Sequence, residues 1–275
     1  MRALLLVPLV CLVACRSSSS GGANDAELMA QVREKLAARD AKLQAYQMEG
    51  TQTEGDTASA GFTFAYRAPQ KMRGTVSAPQ ARQVWWDGKH LYEQVEATKQ
   101  FTTFTSQVSA EKLSAFLTEI FTPFVPDGFR APLLLRSAKA KRVTGQGLPQ
   151  AKEAVELTMA LEGEAGGGVE VTYVLRWPSL DFLAKKTRAP DGTRAEVRME
   201  EEHCDAALGL CVPSKLTRWL GDAKQGETVL SKVDLKTPLP NDAFTPAAPE
   251  GYSVQTRTLV DSEAQESGPK SPTGG

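Results

Sequence analysis

The stretch Arg82 to Thr105, RQVWWDGKHLYEQVEATKQFTTFT, limits the possible folds more than any other part of the chain. Asp87-Gly88 separates two runs rich in aromatic and β-branched residues, the pattern of a hairpin with a two-residue turn. Such a turn sets Trp86 opposite Lys89, Trp85 opposite His90 and Val84 opposite Leu91. One face then carries Val84, Trp86, Leu91 and Val95, and the other Trp85 and Tyr92. A hairpin that is apolar on both faces is not stable alone in water. It has to lie inside a larger sheet, with something covering at least one side.

Strands for that sheet recur along the chain from Tyr46 onward, where the period changes to two. GFTFAYR (61–67) places Phe62, Phe64 and Tyr66 on one face, and Gln70 to Ser77 and Phe101 to Thr105 are further candidates. The clearest alternation comes later. Val155, Leu157, Met159 and Leu161 share a face, as do Val169, Val171, Tyr173, Leu175 and Trp177. Ala195, Val197 and Met199 continue it, and Leu216 to Leu220 and Val229 to Leu235 bring the total to about ten or eleven strands. Gly- and Pro-containing turns at Gly55-Asp56, Ala68-Pro69 and Ala78-Pro79 make antiparallel neighbours the natural arrangement.

Two helical patterns accompany them. Asn24 and Glu27 form a capping-box pair ahead of Leu28, Val32 and Leu36, with Leu43 and Tyr46 continuing the apolar side. This predicts an amphipathic helix that packs on the sheet; its mixed acidic and basic polar face argues against a membrane-surface helix. Between the two sets of strands, Ser109 precedes Leu113, Phe116, Leu117, Ile120 and Phe121 at helical spacing, with Pro123 and Pro126 as stops. Leu133-Leu134-Leu135 follows. This insertion is too short for a domain, so a helical lid over one sheet face is expected. The fold class is mainly β (α+β): a strongly curved antiparallel sheet, an incomplete β-barrel, with an N-terminal helix and a lid.

The N-terminus reads as an export signal. Met1-Arg2 precedes a ten-residue apolar run, Leu4 to Val13, too short to anchor as a helix. The ending Leu12-Val13-Ala14-Cys15 resembles the lipobox of bacterial lipoproteins, which implies a signal peptide over 1–14 and an acylated Cys15 as the membrane attachment. An ordinary signal peptide with an incidental cysteine is the alternative. Arg16 follows, where an Asp would be the inner-membrane retention signal of enteric bacteria. Residues 15–24 read as the lipidated cysteine and a flexible Ser/Gly tether, 25–255 as the domain and 256–275 as a disordered tail.

Chemistry-bearing motifs are sparse. The only two histidines are His90 and His203, and no nucleophile elbow, phosphate loop or metal-spaced histidine pair is present, so no enzyme and no cofactor are expected. Glu200-Glu201-Glu202 reads as a solvated strand end. Trp85, Trp86 and Tyr92 allow a sugar-stacking platform, though buried sheet aromatics use the same residues. Cys204 and Cys211, with six residues between them in an exported chain, read first as a disulfide closing a hairpin loop. A zinc site with His203 and His90, or free thiols, are the alternatives. A net charge of −1 gives no electrostatic footprint for nucleic acid.

The order of these pieces resembles the LolA/LolB-like lipoprotein carriers. It consists of the amphipathic helix, the Phe-x-Phe strand, Arg67-Ala68-Pro69, the Asp-Gly-Lys-x-Leu-Tyr hairpin, a short lid, and a closing Asp242-Ala243-Phe244-Thr245-Pro246. The resemblance spans about Asp25 to Val254 and implies a concave apolar face that takes acyl chains of lipids or lipoproteins. The expectation is a monomer anchored at the outer membrane and facing the periplasm, with lipid or lipoprotein transport as the further role. Two departures stand out: the soluble carrier has Arg directly before Pro, and it lacks a lipidated cysteine. The ligand-facing residues would be Phe62, Phe64, Tyr66, Leu157, Met159, Val171, Tyr173 and Leu175, with Phe116, Ile120 and Leu134 from the lid. A filled core uses the same residue types. The other expected role is therefore an envelope interaction or stress-sensing lipoprotein with the same fold and a packed interior.

Overall fold

The computed structural model describes residues 21–55, 59–68, 71–77, 81–106, 138–144, 151–161 and 168–259. Among these residues, one helix and fourteen strands make up the framework. Helix α1 (Gly21–Lys42) leads into β1 (Ala45–Glu54), β2 (Ala60–Arg67), β3 (Lys71–Val76), β4 (Arg82–Trp86), β5 (Leu91–Val95) and β6 (Gln100–Ser106). There follow β7 (Lys139–Thr144), β8 (Glu153–Leu161), β9 (Val169–Arg176), β10 (Phe182–Arg188), β11 (Arg194–Asp205), β12 (Leu210–Leu220), β13 (Ala223–Asp234) and β14 (Ser253–Leu259).

All fourteen strands form one sheet, in the order β14-β6-β5-β4-β3-β2-β1-β13-β12-β11-β10-β9-β8-β7. Every neighbouring pair is antiparallel except β14 on β6, which is parallel because a long C-terminal crossing returns the chain to the far edge. Among the described residues the ends, β14 and β7, are not paired, so the sheet is an open, curved half-barrel. Register shifts in the β1/β13, β9/β10, β11/β12 and β12/β13 pairs bend it. The bend brings β10 against β12 although β11 lies between them.

The strand count exceeds the expected ten or eleven. The additional strands are β7, β10 and β14, whose sequences KAKRVT, FLAKKTR and SVQTRTL carry too much charge or too little alternation to stand out. The last also corrects the expected tail, since residues 256–259 belong to β14. At the other end α1 starts at Gly21, so Asn24 lies within the helix instead of capping it, and residues 21–24 are helical where a flexible tether was expected. The helix stops at Lys42, and Tyr46 belongs to β1.

The hairpin register also differs from expectation. Trp86 pairs with Leu91, Trp85 with Tyr92 and Val84 with Glu93, so the loop has four residues, Asp87 to His90. Asp87 is the reason: its Oδ1 accepts the backbone N–H groups of Lys89 and His90 at 2.7 Å each, which closes a wider turn with Gly88 at φ 96°. A shift of two residues leaves every side chain on its original face. Trp86, 1% exposed, therefore joins the main core with Phe64, Tyr66 and Leu157, while Trp85, 5% exposed, points to the opposite side.

Both faces of the hairpin are covered. The main core lies between α1 and the concave side of the sheet, and takes Leu28, Met29, Val32 and Leu36 from the helix. The opposite side is crossed by the segment after β13. Outward-facing Gln47 and Arg67 donate to the carbonyls of Thr237 (2.9 Å) and Leu239 (2.7 Å), and Lys71 reaches Asn241 at 3.1 Å. A single 3-10 turn, Asn241–Phe244, then brings the fully buried Phe244 onto β3. With Trp85 and Phe101, both buried outside the main core, Phe244 belongs to a second small apolar layer.

Candidate functional site

The concave face is built from rows of side chains that run across neighbouring strands. Tyr46, Tyr66, Met72, Trp86 and Leu91 occupy consecutive paired positions on β1, β2, β3, β4 and β5. Tyr46 stacks on Tyr66 and Phe64, with ring centroids 5.1 and 5.7 Å apart. On the other wing Leu157 pairs with Tyr173, Met159 with Val171 and Val155 with Leu175. All eight sheet residues expected to face a ligand belong to one apolar cluster, with Phe62 half-buried at its margin and the other seven buried. Phe116, Ile120 and Leu134 lie outside the described residues, as does Cys15.

The helix that roofs part of this face is held by a buried ion pair. Arg39, 4% exposed, donates from Nη1 to Asp181 Oδ1 and from Nη2 to the carbonyl of Cys211, both at 2.7 Å. Asp181 also accepts the Cys211 backbone N–H (3.2 Å), the Ser179 hydroxyl (2.6 Å) and Arg176 Nη1 (3.3 Å). Both peptide groups of Cys211 are thus clasped by one ion pair. Sequence reasoning missed this constellation, yet it left a trace. Arg39 sits on the apolar stripe of Leu28, Val32, Leu36 and Leu43, and Asp181 interrupts the run Leu180-Asp181-Phe182-Leu183. A second tie places Trp177 near Arg142 and Lys35, whose cations lie 4.2 and 5.3 Å from its ring centre.

Cys204 and Cys211 form the expected disulfide, between directly paired residues of β11 and β12. Glu202 lies beside the two sulfurs, but they are bonded to each other, so the thiolate pair of a zinc site does not exist. The neighbouring acids are structural: Glu200 accepts from the Thr217 hydroxyl (2.8 Å) and Glu202 from Arg176 (2.8 Å). No sugar platform forms either, because Trp85 and Trp86 are buried on opposite faces. Arg67 holds the C-terminal crossing on the outer side through the Leu239 carbonyl.

Around the hairpin loop Asp87 gathers four donors. Burial alone pushes its carboxyl up. The backbone N–H groups of His90 and Lys89, the Tyr92 hydroxyl (2.9 Å) and the His90 ring (3.4 Å) outweigh that and hold it below the usual carboxylate range. Burial, with the Asp87 hydrogen bond and charge, pushes the Tyr92 phenol up to about 12. The cluster resembles an acid–base site in composition, but all four donors serve one turn. Two clefts among the described residues, of about 780 and 250 Å³, lie on the outer side. Glu49, Thr63 and Arg73 line both, joined by Phe62, Val76 and Gln83 in the larger and by Met48, Phe64 and Leu239 in the smaller.

No protein-family model matches the sequence, and no curated protein matches it significantly. Solved structures do. A domain from Vibrio parahaemolyticus assigned by name to outer membrane lipoprotein sorting superposes with a TM-score of 0.53 at 10% identity, over 78% of this chain and 95% of that one. The chain shares the open, curved-sheet fold of that domain. A DUF1329 family protein from Desulfovibrio piger follows with a TM-score of 0.50 at 9% identity, over 77% of this chain and 95% of its own. A LolA superfamily protein from Nitrosomonas europaea reaches 0.48 at 12% identity, over 78% and 97%. The Asp-Ala-Phe segment read from the sequence forms the 3-10 turn on the outer face.

Proposed function

We propose that this chain is a membrane-anchored lipoprotein of the bacterial envelope that binds a hydrophobic ligand, a lipid or the acyl chains of a lipoprotein, on the concave face of its half-barrel. The observation that carries this reading is the continuous apolar lining. Phe62, Phe64 and Tyr66 on one wing and Leu157, Met159, Val171, Tyr173 and Leu175 on the other face the same interior of an open sheet. Phe116, Ile120 and Leu134 are assigned to the lid over that interior. Acylated Cys15 supplies the anchor, and the absence of Asp after it favours the outer membrane, facing the periplasm. A monomer that passes lipid or lipoprotein across the envelope is the fuller form of the proposal.

One observation favours the second reading, an interaction or stress-sensing lipoprotein with a filled interior: Val155, Leu157 and Leu175 are already fully buried. Native mass spectrometry separates the two. The full chain carrying Cys15→Ser, which cannot be acylated, is purified from bacterial envelopes without lipid-stripping detergent. Co-purified lipid masses are expected. A ligand-free protein that also takes up no fluorescent acyl probe overturns the carrier reading.

A further inference from the structure

Among the described residues, two buried side-chain polar atoms have no hydrogen-bond partner, Arg39 Nε and Trp86 Nε1. The Arg39 guanidinium spends its other donors on Asp181 and Cys211. The Trp86 indole has a single donor, and nothing receives it. Trp86 is 1% exposed and sits on the concave face between its strand neighbours Met72 and Leu91, in the same row as the stacked Tyr46 and Tyr66. A buried N–H without an acceptor is costly, and buried tryptophans usually find one. Here the donor stands in the lining already proposed to hold an acyl ligand.

We infer that Trp86 Nε1 is a polar anchor of the concave face, and that it donates to the carbonyl oxygen of an ester- or amide-linked acyl chain. This rests on the carrier reading and narrows it to a ligand class. One neutral N–H matches one neutral C=O. A free fatty-acid carboxylate would have to bury a full charge against that single donor. The cations on or against this face are engaged elsewhere: Arg82 pairs with Glu93 at 3.2 Å, Arg39 with Asp181 at 2.7 Å, Arg218 donates to the Thr228 hydroxyl at 2.9 Å, and Lys185 and Arg142 lie over the Tyr173 and Trp177 rings. A plain hydrocarbon would leave the indole unpaired. The acyl linkage therefore sits at the β3–β5 wing.

The test compares monoolein with 1-O-oleylglycerol, which keeps the chain and headgroup but lacks the carbonyl, using the full chain with Cys15→Ser. Wild-type Trp86 is expected to favour the ester by roughly three- to tenfold, the value of one net hydrogen bond. Trp86→Phe should bring that ratio close to one by weakening the ester alone. In the wild type, the indole ¹⁵N–H resonance that is missing from Trp86→Phe should move on adding monoolein and not on adding the ether, while the wild-type ester-to-ether ratio is read without any variant. Equal affinities for the two lipids in the wild type, or an ester preference that persists in Trp86→Phe, overturns the inference and leaves the carrier reading intact. Failure of the wild type to bind either lipid overturns both.

Discussion

Asp87 shows how a single carboxylate decides a local structure. Its Oδ1 takes two backbone N–H groups and its Oδ2 the Tyr92 hydroxyl, so the loop is closed by a side chain. Asp87→Ala is expected to cost about 1–2 kcal/mol in urea unfolding, the net worth of hydrogen bonds to a charged acceptor. It should also let the Tyr92 phenol titrate nearer its ordinary value than the present value of about 12, followed by ultraviolet difference absorbance. The signs of the pH dependence follow from the shifts. Asp87 is depressed on folding, so its contribution is present above the unfolded carboxyl value and disappears as pH falls through the folded one. Tyr92 is raised, so its contribution is full below the unfolded phenol value and is lost as pH climbs towards about 12. The Asp-Gly signal correctly located this hairpin, but its register depended on hydrogen bonds from Asp87 that dipeptide preferences do not reveal.

The elements depend on one another through Cys211. The disulfide fixes its position in β12, while its N–H and C=O hold the Asp181–Arg39 pair that seats α1. Cys204→Ser with Cys211→Ser is expected to lower stability by about 2–3 kcal/mol, the chain-entropy value for an eight-residue loop. Amide exchange in α1 should accelerate more than in β1–β3, as read by hydrogen–deuterium mass spectrometry. Arg39→Leu alone strands the Asp181 carboxylate in the interior, at an expected cost of about 3–5 kcal/mol; adding Asp181→Leu should recover much of it in the same denaturant titration. The apolar stripe on α1 was legible as a period of buried residues. The ion pair was not, because a charged residue on such a stripe normally reads as its edge. Strands β8 and β9 were legible because each has one wet face, whereas β7, β10 and β14 are held by pairing with neighbours more than by their own pattern.

At the scale of the whole molecule, the sheet carries two apolar layers of unequal size, and the C-terminal crossing secures the smaller. Phe244 is the largest side chain that this crossing buries, so Phe244→Ala is expected to cost about 3–5 kcal/mol and to expose Trp85, seen as a red shift in tryptophan emission. The double-sided hairpin made the need for cover on both sides legible from the outset. The identity of the outer cover was not, since the residues supplying it lie more than 150 positions away in sequence. In a closed barrel, strand number and stagger fix the girth. Here no hydrogen bond joins β14 to β7 among the described residues, so the chamber can widen or narrow without breaking a rung of its ladder. In the carrier role proposed above, such a sheet has no ruler for tail length or tail number. Whatever discrimination it exercises has to come from the few polar atoms set in its wall.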